Sequence, residues 1–217
     1  MSSRTLTILL LAAIGLGLLA LFPKVQAFNL PGNHQDYEPV QPIAFSHRLH
    51  AGELAVQCLY CHSAAESSRT AGVPAASVCM NCHRFVTTTF GAIRVEDEAA
   101  KKEKRSPRRI VSPEIQKIYD ALALDGSMKP IAGQPGRPIE WVRAHNLPDF
   151  VSFDHRRHVN VGVACQSCHG PVETMERLVQ VNDLTMGWCV NCHRDATRNG
   201  INGKAVNAVI DCGVCHY

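Results

Sequence analysis

The chain has 217 residues, a formal net charge of +3 and few aromatic side chains: seven Phe, four Tyr and two Trp. No nucleic-acid partner is expected. The fifteen Gly and twelve Pro leave little material for a conventional core. Something other than side chains must therefore fill the interior of a chain of this length.

The first predicted element is a membrane anchor over residues 1–28. Residues 5–22 are an uncharged apolar run, which as an α-helix would measure about 27 Å, close to the thickness of the bilayer core. The alternative is a cleaved secretory signal that ends at Val25-Gln26-Ala27. The length of the run and the start at Met1 favour a retained single-pass transmembrane helix.

Ten cysteines form five C-x-x-C pairs, and a histidine follows each pair at once. In C-x-x-C-H the two thiols attach to a porphyrin as thioethers, and the histidine binds the iron. Zinc sites and redox dithiols also use paired cysteines, but neither needs a histidine after every pair. The sequence therefore predicts five covalently bound haem c groups. Their attachment points are Cys58, Cys61, Cys79, Cys82, Cys165, Cys168, Cys189, Cys192, Cys212 and Cys215, and the proximal iron ligands are His62, His83, His169, His193 and His216.

The motifs are arranged in a doubled module. Each module reads F-x-H-x-x-H, then C-x-x-C-H, then C-x-x-C-H-R, beginning at Phe45 in the first copy and at Phe153 in the second. The first dihaem module occupies residues 29–84. The second lies in residues 145–217, which also hold the fifth, C-terminal haem.

An insertion over residues 85–144 separates the modules. Its charge run, 96–109, mixes both signs, which favours a solvated segment, with docking of a partner as the alternative. An amphipathic stretch predicts a helix over 113–124, followed by a loop rich in Pro and Gly. The predicted architecture is mostly α with long loops: an N-terminal transmembrane helix and a haem-packed multihaem cytochrome c body.

Six further histidines are available as distal iron ligands. Five are predicted to bind iron and one, His34, to lie on the surface; the five are His47, His50, His145, His155 and His158. If nearly every iron has two protein ligands, no site is left for a substrate. The sequence therefore predicts electron transfer rather than catalysis. Short links between most motifs predict one continuous row of haems, provided that the insertion folds away and lets the modules touch.

Two methionines, Met175 and Met186, are possible distal ligands. Methionine opposite histidine raises the potential of an iron, which suits the last station before an acceptor. The alternative is packing of these flexible side chains against porphyrin. If one of them ligates, one distal histidine becomes surplus.

The F-x-H-x-x-H and C-x-x-C-H pattern resembles class III multihaem cytochromes. That resemblance implies that the first histidine of each pair binds the haem that follows it and that the second reaches another haem. His47 and His155 would then face the irons of His62 and His169. His50 and His158 would cross to other haems.

The whole layout resembles the pentahaem subunit of bacterial alternative complex III, especially over His145 to His155 and over Leu184-Thr-Met-Gly-Trp-Cys189. This resemblance implies multi-helix quinol-oxidising membrane subunits, an iron–sulfur subunit, and a monohaem cytochrome or blue-copper acceptor. It places the protein at the bacterial inner membrane, with its body on the periplasmic side. The alternative is an anchored quinol dehydrogenase that feeds a periplasmic reductase. A pentahaem nitrite reductase is disfavoured because no C-x-x-C-K motif occurs.

Overall fold

The computed structural model describes residues 3–26 and 33–216, and in the first helix the side chains of residues 5–17. Short helices and long loops make up this part of the chain, where the β-structure consists of isolated bridges. The α-helices are α1 (Ser3–Gln26), α2 (Cys58–Cys61), α3 (Ala76–His83), α4 (Phe90–Lys102), α5 (Pro113–Ala121), α6 (His155–Asn160), α7 (Cys165–His169), α8 (Met186–Asn199) and α9 (Cys212–Cys215). A π-helical turn lies at Arg48–Glu53, and 3-10 turns lie at Ser63–Glu66 and Val172–Thr174.

The predicted transmembrane helix is wrong. None of the helices in the described part of the chain combines the length and the apolar character that crossing a membrane requires. Residues 1–2 and 27–28 of the predicted anchor lie outside the described residues. The architecture is therefore a small body of helices and loops.

The helix predicted over 113–124 forms, but it is shorter than expected. It begins at Pro113, and the Ser112 side chain caps it by accepting a hydrogen bond from the Ile115 N–H at 3.3 Å. It ends at Ala121, because Ala123 adopts a left-handed backbone conformation with φ of 50° and turns the chain. The sequence predicted the helix start at Pro113, whereas it did not predict the left-handed backbone of Ala123 that ends the helix.

The insertion packs onto the first module. Ile118 and Tyr119 of α5 join Ile43 and Met80 in a buried apolar cluster. The Tyr119 hydroxyl also donates a hydrogen bond of 2.5 Å to the backbone carbonyl of His83, at the end of α3. This packing fixes α5 against the second haem motif.

Part of the charge run of the insertion is paired with itself. Arg105 forms ion pairs with Glu96 and Glu103, and Glu96 also accepts a hydrogen bond of 2.7 Å from the Arg108 N–H. The Arg105 side chain, followed by the Arg108 backbone, lowers the pKa of Glu96 to about 2. The segment after α4 is thus folded back onto that helix.

The two modules contact each other reciprocally. Each distal-histidine segment packs on the 3-10 turn that follows the first haem motif of the other module. Arg48–Glu53 lies against Val172–Thr174, and α6 lies against Ser63–Glu66. Backbone hydrogen bonds join both contacts, with Arg48 N–H donating to Met175 at 2.8 Å and Arg156 N–H donating to Ser68 at 3.2 Å. The duplicated sequence therefore gives a nearly symmetric pair of contacts.

A substitution at Gly52 tests this interface, because a Cβ at that position would lie 2.3 Å from the Glu173 carbonyl oxygen. We expect Gly52→Ala to lower the free energy of unfolding by about 1–3 kcal/mol through overpacking. Gly91→Ala is the matched control, since a Cβ there meets no atom within 4 Å and alanine favours the α4 helix by about 0.5–1 kcal/mol. Denaturant unfolding of both haem-loaded variants measures the difference. Equal stability of the two variants would contradict the close contact between the modules.

Candidate haem sites

Each of the five C-x-x-C pairs lies within one helical turn. The pairs fall in α2, α3, α7, α8 and α9, and residues three apart on a helix share a face. Both thiols of a pair can therefore reach one porphyrin. All ten cysteines are in the described part of the chain, and none forms a disulfide.

Hydrogen bonds to backbone carbonyls fix the tautomer of three of the five motif histidines. The Nδ1 atoms of His62, His83 and His193 lie 2.7, 2.8 and 2.6 Å from the carbonyl oxygens of Gly72, Val86 and Val209, respectively. A carbonyl only accepts, so each Nδ1 carries the proton and donates it. The other ring nitrogen, Nε2, keeps its lone pair for iron.

Three of the predicted distal histidines are held in the same way. The acceptors of His50, His155 and His158 are the carbonyls of Ser46, Arg69 and Asp154, at 2.8, 2.9 and 2.9 Å. Two of these acceptors lie four residues before the histidine, so the local helical turn supplies them. Arg69 belongs to the other module, so the contact between the modules orients His155.

Histidine rings face each other in three pairs. The ring centroids are 6.1 Å apart for His50 and His83, 6.3 Å for His155 and His169, and 6.0 Å for His158 and His193. A metal–imidazole bond is about 2 Å and the centroid lies about 1 Å behind the nitrogen, so two rings on one iron are roughly 6 Å apart. These residues therefore fit bis-histidine haem.

The repeated phenylalanine orients both histidines of each module. Phe45 stacks on His50, with centroids 4.4 Å apart, and meets the His47 ring edge-on at 4.9 Å. Phe153 stacks on His158 at 4.6 Å and meets His155 edge-on at 4.8 Å. No role was predicted for this phenylalanine, although its recurrence in both modules was a visible signal.

His47 lies beside His62 and is mostly buried. Burial, followed by the nearby charges of His62 and His50, lowers its pKa to about 4. Its buried Nδ1 has no hydrogen-bond partner among the described residues. The ring is thus neutral near pH 7, as an iron ligand must be, and it lies close to the first motif histidine.

His145, predicted as a distal ligand, lies next to a proximal one. Its Nε2 is 3.1 Å from the Nδ1 of His169, and burial followed by the charge of His155 lowers its pKa to about 4. Burial and the charges of His145 and His155 likewise lower the pKa of His169 to about 4. His34, predicted as a surface residue, contacts the Ala144 carbonyl through Nδ1 at 3.2 Å.

The remaining predicted ligands lie in different surroundings. The His216 ring packs 5.7 Å from the Phe150 ring. Met175 is buried where the modules meet, and its carbonyl accepts from Arg48. Met186 begins α8 with 70% of its surface exposed. Iron ligation by either methionine stays a prediction.

The cysteine pairs also reveal which motifs are neighbours. Burial raises the pKa of each of four thiols, and a cysteine of another motif raises it further. The neighbours are Cys82 for Cys61, Cys58 for Cys165, Cys192 for Cys168 and Cys215 for Cys189. The motifs therefore follow one another in space in the order second, first, third, fourth, fifth.

The motifs and the facing rings are typical of a multihaem cytochrome c, and two comparisons give similarities of the same kind. The family model described as cytochrome c7 and related cytochrome c matches residues 151–217. The chain is also similar to the menaquinone reductase multiheme cytochrome c subunit of Nitratidesulfovibrio vulgaris. The two are 26% identical over 196 residues, which cover 81% of this chain and 76% of that protein.

Removal of a distal histidine tests the ring pairs. His158→Ala should convert one low-spin haem to a high-spin haem, because the iron of His193 loses its sixth ligand. Electron paramagnetic resonance of the oxidised protein measures this change. Arg157→Ala removes an exposed side chain next to His158 in the same helix, so this control should leave the spectrum unchanged. A fully low-spin His158→Ala protein would show that the facing rings do not share an iron.

Proposed function

We propose that this chain is a pentahaem electron-relay subunit of a quinone-linked membrane complex. The observation that carries the proposal is the unbroken row of neighbouring cysteine pairs, from the second motif to the fifth. Haem iron supplies a one-electron carrier. The chain's own contribution is to hold five such carriers side by side.

The proposed ligands follow from the ring geometry. His50 serves with His83, His155 with His169 and His158 with His193, and His47 lies beside His62. Two of these pairs, His47 with His62 and His155 with His169, are the ones that the class III resemblance implies, and we propose His83 and His193 as the partners of His50 and His158. With two imidazoles on an iron no position is open to a substrate, which supports relay rather than catalysis. Met175 and Met186 stay possible distal ligands, and we propose that one of them serves opposite His216.

The contact between the modules carries the relay across the chain's longest gap. Cys165 lies beside Cys58, and the charges of both His62 and His47 act on His169. The crossing therefore runs between the first and third motifs, whereas the insertion packs against the second. Electrons that enter at the second motif can reach the fifth only through the first.

Deletion of individual motifs tests this order. In Cys58→Ala/Cys61→Ala the second motif is separated from the other three, so electron equilibration between the two ends should become much slower. In the control, Cys79→Ala/Cys82→Ala, the remaining four motifs stay in one row and should equilibrate at the wild-type rate. Rapid-mixing reduction with absorbance detection measures both rates. Intact mass must show five haems in the wild-type protein and four in each variant, and slow equilibration only in the control would support a sequential order instead.

The partners follow from two similarities. The relative from N. vulgaris is by name a subunit of a menaquinone reductase, and the doubled module with a fifth haem resembles alternative complex III. We propose multi-helix quinol-oxidising subunits and an iron–sulfur subunit as neighbours on the periplasmic side, with a monohaem cytochrome or blue-copper protein as acceptor. Electron delivery to menaquinone is the second candidate function, and the name of the relative favours it.

Purification of the native assembly in mild detergent tests these partners. Mass spectrometry should identify multi-helix membrane subunits and an iron–sulfur protein together with this chain. A short-chain menaquinol should then reduce the haems of the assembly within its turnover time. Haems that are oxidised by the corresponding menaquinone, but not reduced by menaquinol, would favour the second candidate. Recovery of the chain without membrane subunits would contradict the proposal.

A further inference from the structure

His169 differs from the other motif histidines in what its Nδ1 contacts. His62, His83 and His193 use backbone carbonyls, whereas the Nδ1 of His169 lies 3.1 Å from the Nε2 of His145. A side chain thus takes the place of the backbone acceptor at the third motif. Side chains, unlike backbone, can be replaced by mutation, so this contact is open to a direct test.

The two neighbours of His169 lie at different distances and angles. The His155 ring is nearly parallel to it, at 9°, with centroids 6.3 Å apart, which is the spacing of two ligands on one iron. The His145 ring is inclined by 69°, with centroids 4.3 Å apart. That shorter distance leaves no room for an iron between these two rings. His145 is therefore a hydrogen-bonding neighbour of His169, and His155 is the ring that faces it across the iron.

The tautomers follow from this arrangement. If the Nε2 of His169 binds iron, its Nδ1 carries the proton and donates it to the Nε2 of His145. His145 then holds its own proton on Nδ1, and the lone pair of its Nε2 is occupied by the hydrogen bond. We propose that His145 is a positioning residue that orients His169, rather than a distal iron ligand; this rests on the proposed haem relay.

The segment that carries His145 is held on both sides. The Asn146 N–H donates to the side chain of Gln180 at 3.0 Å, and Gln180 is completely buried. On the other side, the Ala144 carbonyl meets His34. Such a fixed acceptor sets the plane of the His169 ring and increases the electron density of that ligand. The ligand it orients belongs to the motif at the centre of the row.

Three variants separate positioning from ligation. His145→Ala removes the acceptor, so one of the five haems should shift to a higher reduction potential while all five stay low-spin. His145→Gln restores an acceptor oxygen and should return that potential toward the wild-type value. His155→Ala is the reference for a lost ligand and should give one high-spin haem. Redox titration followed by electron paramagnetic resonance provides both readouts.

Two outcomes would overturn the inference. One is a high-spin haem in both His145 variants, because His145 would then be an iron ligand. The other is a set of five wild-type potentials in His145→Ala, because the contact would then have no influence on His169. If His145→Ala does not assemble, the spin state and potentials of His145→Gln still decide. The proposed relay is tested separately by the haem count of the wild-type protein, which these variants do not affect.

Discussion

The hydrogen bond from a histidine Nδ1 to a fixed acceptor is the interaction on which the arrangement depends. It settles the tautomer and the ring plane and leaves Nε2 available for iron. Six histidines use backbone carbonyls for this purpose, and those acceptors come from helical turns, loops and the opposite module. The fold therefore places a backbone carbonyl beside the Nδ1 of each of these six histidines.

Duplication explains how few elements accomplish this. Each module places one phenylalanine between two histidines, and each rests its distal segment on the 3-10 turn of the other. The reciprocal contact has two consequences. It brings the acceptor carbonyl of Arg69 to His155, and it places the first and third motifs side by side. Assembly of the modules and continuity of the proposed relay thus depend on the same interface.

The insertion serves the first module rather than the crossing. Its helix α5 packs on Met80, and Tyr119 of that helix donates a hydrogen bond to the His83 carbonyl at the end of α3. In its charged segment, Arg105 forms ion pairs with Glu96 and Glu103. The buried cluster formed with α5 is the main conventional core of the described body. The apolar side-chain core of the described body thus lies mainly where the insertion packs on the second motif.

The sequence by itself determined the cofactor chemistry, because the C-x-x-C-H motif places both cysteines of a pair within one helical turn, next to the histidine. It also predicted the paired distal histidines, because they recur at one spacing in both copies. It did not determine which motifs are neighbours, because the contact between Cys58 and Cys165 joins residues far apart in the chain. The environment of His145 could not be predicted from the sequence either, because the sequence does not show whether the Nε2 of a histidine contacts an iron or another imidazole. The transmembrane helix, predicted from the apolar run and the start at Met1, was wrong, whereas tertiary packing decided the order of the motifs and the acceptor at each ring.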